Sequence, residues 1–211
     1  MNGKEPSARP AQAIAERFGS PSTRAVHFAY FLAKKDATAL VDGDPNRSAI
    51  AWAGRADGSF PFKVITEIQL PRFAGQFRHI VTDTKARPER EDMQDLMETA
   101  DLIILPTPPS GDDLRVTANT ARVLQEIGST KHKVLFTRVP TNHGSTDEED
   151  ARDFLVNQGI SVLKGRIRHY KAYEKAFVAG VPVFQIKQDR NAKIAWSDYE
   201  SVIKEALHGQ I

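Results

Sequence analysis

The chain has 211 residues, 40% of them apolar and 27% charged, and it contains no cysteine. That length suits one α/β domain with a sizeable core, and the composition excludes a disordered chain, a disulfide scaffold, thiolate-bound zinc and a thiol nucleophile. With 29 Lys and Arg against 27 Asp and Glu, the net charge of +2 supplies no bulk attraction to nucleic acid, so any such binding must come from local clustering.

Residues 1–24, MNGKEPSARPAQAIAERFGSPSTR, hold three prolines and no apolar run, and suggest only a helix-compatible piece from Ala11 to Phe18. They are read as an N-terminal segment that adds no core strand, set against a single domain over 25–211. A sheet lacking its first strand would leave a central edge open unless residues 1–24 or another subunit cover it. The charged N-terminus and the strand-sized apolar runs predict neither a signal peptide nor a membrane span, which makes a cytoplasmic protein the default expectation.

Arg24 to Lys35 places Ala25, Phe28, Ala29 and Leu32 on one face and predicts a buried helix. The next segment, ATALVDGDPNRSA at 37–49, is an apolar run that stops at Asp42 and Asp44; it reads as a strand delivering carboxylates to the end of a sheet, where ligands of open α/β folds bind. Phe62–Ile65 and His79–Thr82 are short apolar runs, and the acidic stretch Glu89–Ala100 reads as an exposed helix between strands. Asp101–Pro106, DLIILP, has the continuous apolar character of a parallel strand covered on both faces. A helix over Gly111–Ile127, a strand over Lys133–Val139, a helix over Thr146–Gln158 and a strand over Ser161–Leu163 follow. Lys171–Ala179 and Trp196–Leu207 have helical spacing, with Gly180 as a stop for the first. Alternating strands and helices predict an α/β fold with a doubly wound, mostly parallel sheet and helices on both faces.

The chemistry is carried by two groups of residues. Asp42, Asp44 and Asp83 each follow a strand; hard divalent cations in phosphoryl-transfer sites take such oxygens, although a lone aspartate there is also a turn former. Arg138 follows a strand too, where it reads either as an ordinary surface arginine at a strand end or as a residue able to stack on a base. Lys164, Arg166, Arg168, Lys171 and Lys175 form a basic cluster interleaved with His169, Tyr170 and Tyr173, able to neutralise several phosphates without reading sequence. The six histidines show no pair at metal-ligand spacing, and His27, in an apolar helix, reads as a satisfied core residue. No GxSxG sequence supports a serine nucleophile, and no GxxxxGK[ST] phosphate loop occurs.

From Ala25 onward the chain resembles the ParA/MinD family of deviant Walker ATPases, and within it the ParA-type proteins of cyanobacteria that space carboxysomes over the nucleoid. AVHFAYFLA at 25–33, VDGDPNRSAIAWA at 41–53, IVTDTKARPE at 80–89, ADLIILPTPPS at 100–110, GRIRHYKAYEKA at 165–176 and AWSDYE at 195–200 carry the resemblance. It implies that Asp44 positions the attacking water and Asp42 supports it, that Ser22 and Asp83 hold Mg²⁺, and that Ser22, Thr23, Thr107, Pro108 and Pro109 border the nucleotide. It further implies ATP as ligand, a homodimer, non-specific nucleoid DNA as a partner through Lys164, Arg166, Arg168, Lys171 and Lys175, and a cargo adaptor of ParB or carboxysome type.

The chain departs from the family where a KGGxGKT loop belongs. Glu16 and Pro21 stand at the two lysine positions of that loop. Proline has no N–H and glutamate repels a triphosphate, so ATP hydrolysis is expected to be slight or lost. Two alternatives accompany this reading: a non-catalytic descendant acting on a paralogue, an adaptor or DNA, and the product of a frameshifted gene.

Overall fold

The computed structural model describes residues 11–15, 23–73, 75–85, 89–141 and 146–208. The strands are β1 (Ala11–Ala15), β2 (Thr38–Asp42), β3 (Lys63–Thr66), β4 (His79–Asp83), β5 (Leu102–Thr107), β6 (His132–Val139) and β7 (Val162–Arg168). The helices are α1 (Thr23–Leu32), α2 (Ser48–Arg55), α3 (Arg90–Thr99), α4 (Gly111–Glu126), α5 (Asp147–Val156), α6 (Ala172–Ala179) and α7 (Ala192–Ala206). The strands form one seven-stranded sheet in the order β3-β2-β4-β1-β5-β6-β7, and every pairing is parallel.

Strand alternation explains how so apolar a sequence sorts itself. In β5, Leu102 and Ile104 enter the core formed with α1, α2, α6 and α7, while Ile103 and Leu105 enter the one formed with α3, α4 and α5. The same alternation puts Leu135 on the first side and Val134 and Phe136 on the second. Both faces are therefore covered, as a parallel sheet requires. Ala39, Val41, Ile65 and Ile80 make a smaller third cluster with Leu70, Phe73 and Phe77.

Two expectations are corrected. Ala11–Ala15, read as helix-compatible, is β1, paired with β4 (Ala15 opposite Asp83) and with β5 (Ala15 opposite Ile104). The central sheet position is thus filled from within residues 1–24, and hydrogen bonding on both sides decides the conformation of a segment whose composition is neutral. The last strand, read as Ser161–Leu163, runs on to Arg168 as β7 and takes in Lys164, Arg166 and Arg168 of the basic cluster.

β7 lies at the edge of the sheet, and α7 supplies acceptors for its outward N–H groups. Glu205 accepts from Lys164 N at 2.7 Å and Gly165 N at 2.8 Å, and Asp198 accepts from Arg168 N at 3.1 Å. Gly165 allows the approach: a Cβ there would lie 2.8 Å from Val202.

His27 is the satisfied core residue that the sequence suggested. Nδ1 bonds the Thr23 carbonyl, Nε2 accepts from Val183 N at 3.0 Å, and the ring stacks on Tyr199 at 4.5 Å between centroids.

Candidate functional site

Strand order brings the candidate residues to one end of the sheet. β1 leads through α1 to one side and β4 leads through α3 to the other, with α1 and α3 packed on opposite faces. That reversal leaves a crevice at the carboxyl end of β1, the usual ligand position in such sheets.

Asp42 and Asp83 are register partners on β2 and β4. Asp42 follows Leu40 and Asp83 follows Val81 in the row that faces α1, so both carboxylates emerge on that side of the sheet. Asp42 is 0% exposed, Asp44 1% and Asp83 3%. Gly43 N donates to the Asp83 carbonyl at 2.8 Å and ties the two strand ends together.

The Asp42 carboxylate also organises the turn into α2. Oδ1 accepts from Asp44 N at 3.2 Å and Oδ2 from Ile50 N at 2.9 Å, while Asp44 Oδ1 accepts from Asn46 N at 2.7 Å. Arg47, which precedes α2, has φ 49° and no side-chain cap of its own; its guanidinium returns to the Asp42 carbonyl. Asp42 thus caps α2 from the preceding strand and places negative charge at the positive end of the helix. Asp42→Ala should therefore lose about 2 kcal/mol in urea denaturation, because two buried donors lose their acceptor, while Asp42→Asn should lose less. An equal loss in both would show that the ionic charge, rather than the accepted bonds, holds the turn.

Thr23 opens α1 and is buried, whereas Ser22 lies outside the described residues, as do Glu16 and Pro21. Thr107 continues the Ile103 and Leu105 row and so faces the α4 side, opposite Asp42 and Asp83; its Oγ1 donates to the Pro108 carbonyl at 3.0 Å, and Pro109 is buried beside it. The donor set near the crevice is oxygen only, and among the described residues no three Asp, Glu or His side chains converge as a metal group. Carboxylates and a hydroxyl without a protein cage fit a hydrated Mg²⁺ ion.

Arg138 lies elsewhere on the same end of the sheet. It has φ 54° beside an irregularity in the β6–β7 ladder and lines a cleft of about 110 Å³ together with Thr23, Arg24, Thr137, Arg168 and Tyr170. The sequence reading missed Arg24 and Thr137, which contribute to this cleft. The available signal was an arginine one residue beyond the hydroxyl at a helix start.

The basic cluster is divided by the fold. Arg168 is fixed in a fork by Asp198, with contacts of 3.0 and 2.6 Å, and this pairing holds its guanidinium above its ordinary range. Arg166 pairs with Glu148 at 2.7 Å and Lys175 with Asp189 at 2.7 Å. Lys164 and Lys171 are exposed and form no ion pair among the described residues. No described helix is long and apolar enough to cross a membrane.

The chain is 34% identical over 190 residues to the "Maintenance of carboxysome distribution protein A" of Gloeobacter kilaueensis, covering 87% of each chain. Its fold matches a putative plasmid partition protein of Borrelia burgdorferi bound to AMPPNP, with TM-score 0.72 and 13% identity over 96% of this chain and 100% of that one. It also matches an ATP complex of McdA from Cyanothece, with TM-score 0.70 and 13% identity over 94% and 96% of the two chains. No family model matches the sequence.

Proposed function

We propose a function from one premise: the chain belongs to the ParA/MinD family, among the relatives of the carboxysome distribution protein A, and is a positioning protein. In this reading it is a cytoplasmic, nucleoid-associated homodimer that spaces carboxysomes, or a plasmid or chromosome, by binding ATP with Mg²⁺, associating with DNA and meeting a cargo adaptor of ParB or carboxysome type. The observation that carries it is the pair Asp42 and Asp83, buried and in register at the crevice beside β1, with Asp44 in the turn that follows.

Mg²⁺, when bound, would neutralise charge on the β- and γ-phosphates. Asp83 and the hydroxyls at the start of α1 are the residues that would hold it through oxygen and water. Asp44 would orient a water, and Arg138 and Pro109 would border the base. Glu16 and Pro21 oppose efficient turnover, since a single well-placed cation contributes roughly 10³ to 10⁵ in rate. Hydrolysis slight or lost is therefore part of the proposal.

DNA contact would rest first on Lys164 and Lys171. Arg166 and Lys175 have half-exposed side chains but are held by carboxylates only 14% and 10% exposed, so they contribute less than the two lysines. Arg168 has the smallest share, because the Asp198 fork occupies it.

One observation favours a second reading, a non-catalytic module acting on a paralogue or adaptor: both Asp42 oxygens already accept N–H groups of the α2 turn. Calorimetric titration with AMPPNP and Mg²⁺ separates the two. The first reading expects micromolar binding that Asp83→Ala abolishes and Asp44→Ala retains. No heat up to millimolar nucleotide would leave the non-catalytic module.

A further inference from the structure

Two surfaces of this chain carry charged and apolar side chains that the fold leaves unanswered. The first is a groove of about 590 Å³ beside the turn that leads from α6 to α7, with Phe184 and Ile186 in its lining and Lys187, Arg190 and Lys193 as its cations. All three cations are exposed, and their side chains form no ion pair or hydrogen bond among the described residues. Asp189, the one acid of the lining, is held by Lys175 at 2.7 Å and accepts from Asn191 N at 3.0 Å. The groove is therefore positive around apolar side chains, and Lys193, in the first turn of α7, adds its charge to the positive end of that helix.

The second surface is the outward face of α5. Glu149, Asp150 and Asp153 are exposed there, and Phe154 (41% exposed) and Val156 (54%) stand beside them. Spacings of three and four residues set Asp150 next to Asp153 and Phe154, and Glu149 next to Asp153, while Ala151 and Leu155 turn into the core. Asp150 accepts from Thr146 at 2.9 Å, whereas the side chains of Glu149 and Asp153 have no such partner among the described residues. Apolar residues set among carboxylates are the chemical converse of Phe184 and Ile186 set among cations.

We propose that these surfaces are the two halves of one contact between copies of this chain, the carboxylates and Phe154 of α5 in one copy seated in the cationic groove of the next. Phe184 and Ile186 pack on the core that α1 and α7 share, whereas α5 packs on the opposite face of the sheet. A copy thus presents its two surfaces in different directions, so the contact is head-to-tail and extends into open chains. Nucleic acid would meet the same cations but would leave Phe184, Ile186 and the α5 face unused. The contact needs no nucleotide and stands apart from the nucleotide reading.

The test is sedimentation velocity of the full chain without nucleotide, at low and high ionic strength and over a range of protein concentrations. The expected result is a mass that grows with concentration at low salt and falls toward the monomer at high salt. Lys187→Glu with Arg190→Glu, and separately Glu149→Lys with Asp153→Lys, should each weaken association about tenfold or more, and mixing the two variants should restore it, because each then meets opposite charge. Phe154→Ala should weaken it at unchanged charge. All of these positions are exposed, and equal melting temperatures serve as the folding control. A wild-type chain that stays monomeric at every concentration, association that survives both double variants, or a mixture that stays dissociated overturns the proposal. A groove variant that loses retention on a duplex DNA probe while self-associating as wild type overturns it too, and assigns the groove to nucleic acid.

Discussion

Lowering the pH from 7 to 4 is expected to cost the fold about 3 kcal/mol through His27 alone. Burial pushes this imidazole down from 6.5 to about 4, and the bond to the Thr23 carbonyl offsets the shift only in part. The neutral ring is what the core accommodates, with one nitrogen donating to Thr23 and the other accepting from Val183. Between pH 6.5 and 4 the unfolded chain binds a proton that the folded chain refuses. Stability is therefore complete above the unfolded value and falls as the pH drops toward the folded one. Burial also lowers His79 and His132, which act in the same direction. Urea midpoints measured at intervals across this range should fall steadily in the wild type. His27→Gln should be weaker at pH 7 and show a flatter profile, and a slope identical to that of wild type would assign the pH response to other groups.

Gly180→Ala is expected to destabilise the chain by about 3 kcal/mol, lowering Tm by roughly 10 °C. Gly180 ends α6 at φ +69°, a conformation that costs an alanine about 1–2 kcal/mol before any contact is considered. The added Cβ would then lie 2.6 Å from the carbonyl carbon and oxygen of Arg55 and 2.9 Å from Ala56 N. Backbone atoms cannot rotate aside, so α6 must move away from α2. That junction carries the Arg55 guanidinium 4.1 Å over Phe177 and the Trp52–Phe177 contact at 5.4 Å. Thermal melting followed by tryptophan fluorescence reads both the stability and the local change at Trp52. A Tm within a degree or two of wild type would show that α2 and α6 are not rigidly joined.

The sequence made α1, β2, β5 and α4 legible because their patterns are strong over the whole element. DLIILP has no helical stripe to confuse it, and its two faces enter two different cores. β1 was not legible, since AQAIA holds one β-branched residue and becomes a strand by pairing with β4 and β5. α2 was missed because it has eight residues and its cap comes from Asp42, six positions before its first residue. Within the site, the row shared by Asp42 and Asp83 followed from placing each at a strand end, whereas Thr107 faces the opposite side of the sheet. The basic cluster shows the limit most clearly. Arg166, Arg168 and Lys175 look unopposed in the sequence, but Glu148, Asp198 and Asp189, which pair with them, lie 18, 30 and 14 residues away.

The carboxylates that α7 lends to β7 also govern what this molecule can associate with. A parallel sheet grows by offering its free border to another strand, and here that border is latched by Glu205 on the N–H groups of Lys164 and Gly165 and by Asp198 on that of Arg168. Recruitment of a peptide by strand addition, or fusion of two sheets into one continuous sheet, is closed on this flank while α7 is docked. Self-association of the folded chain must therefore proceed through side-chain surfaces or the opposite flank, and partial detachment of α7 would turn this covered border into a template for aggregation.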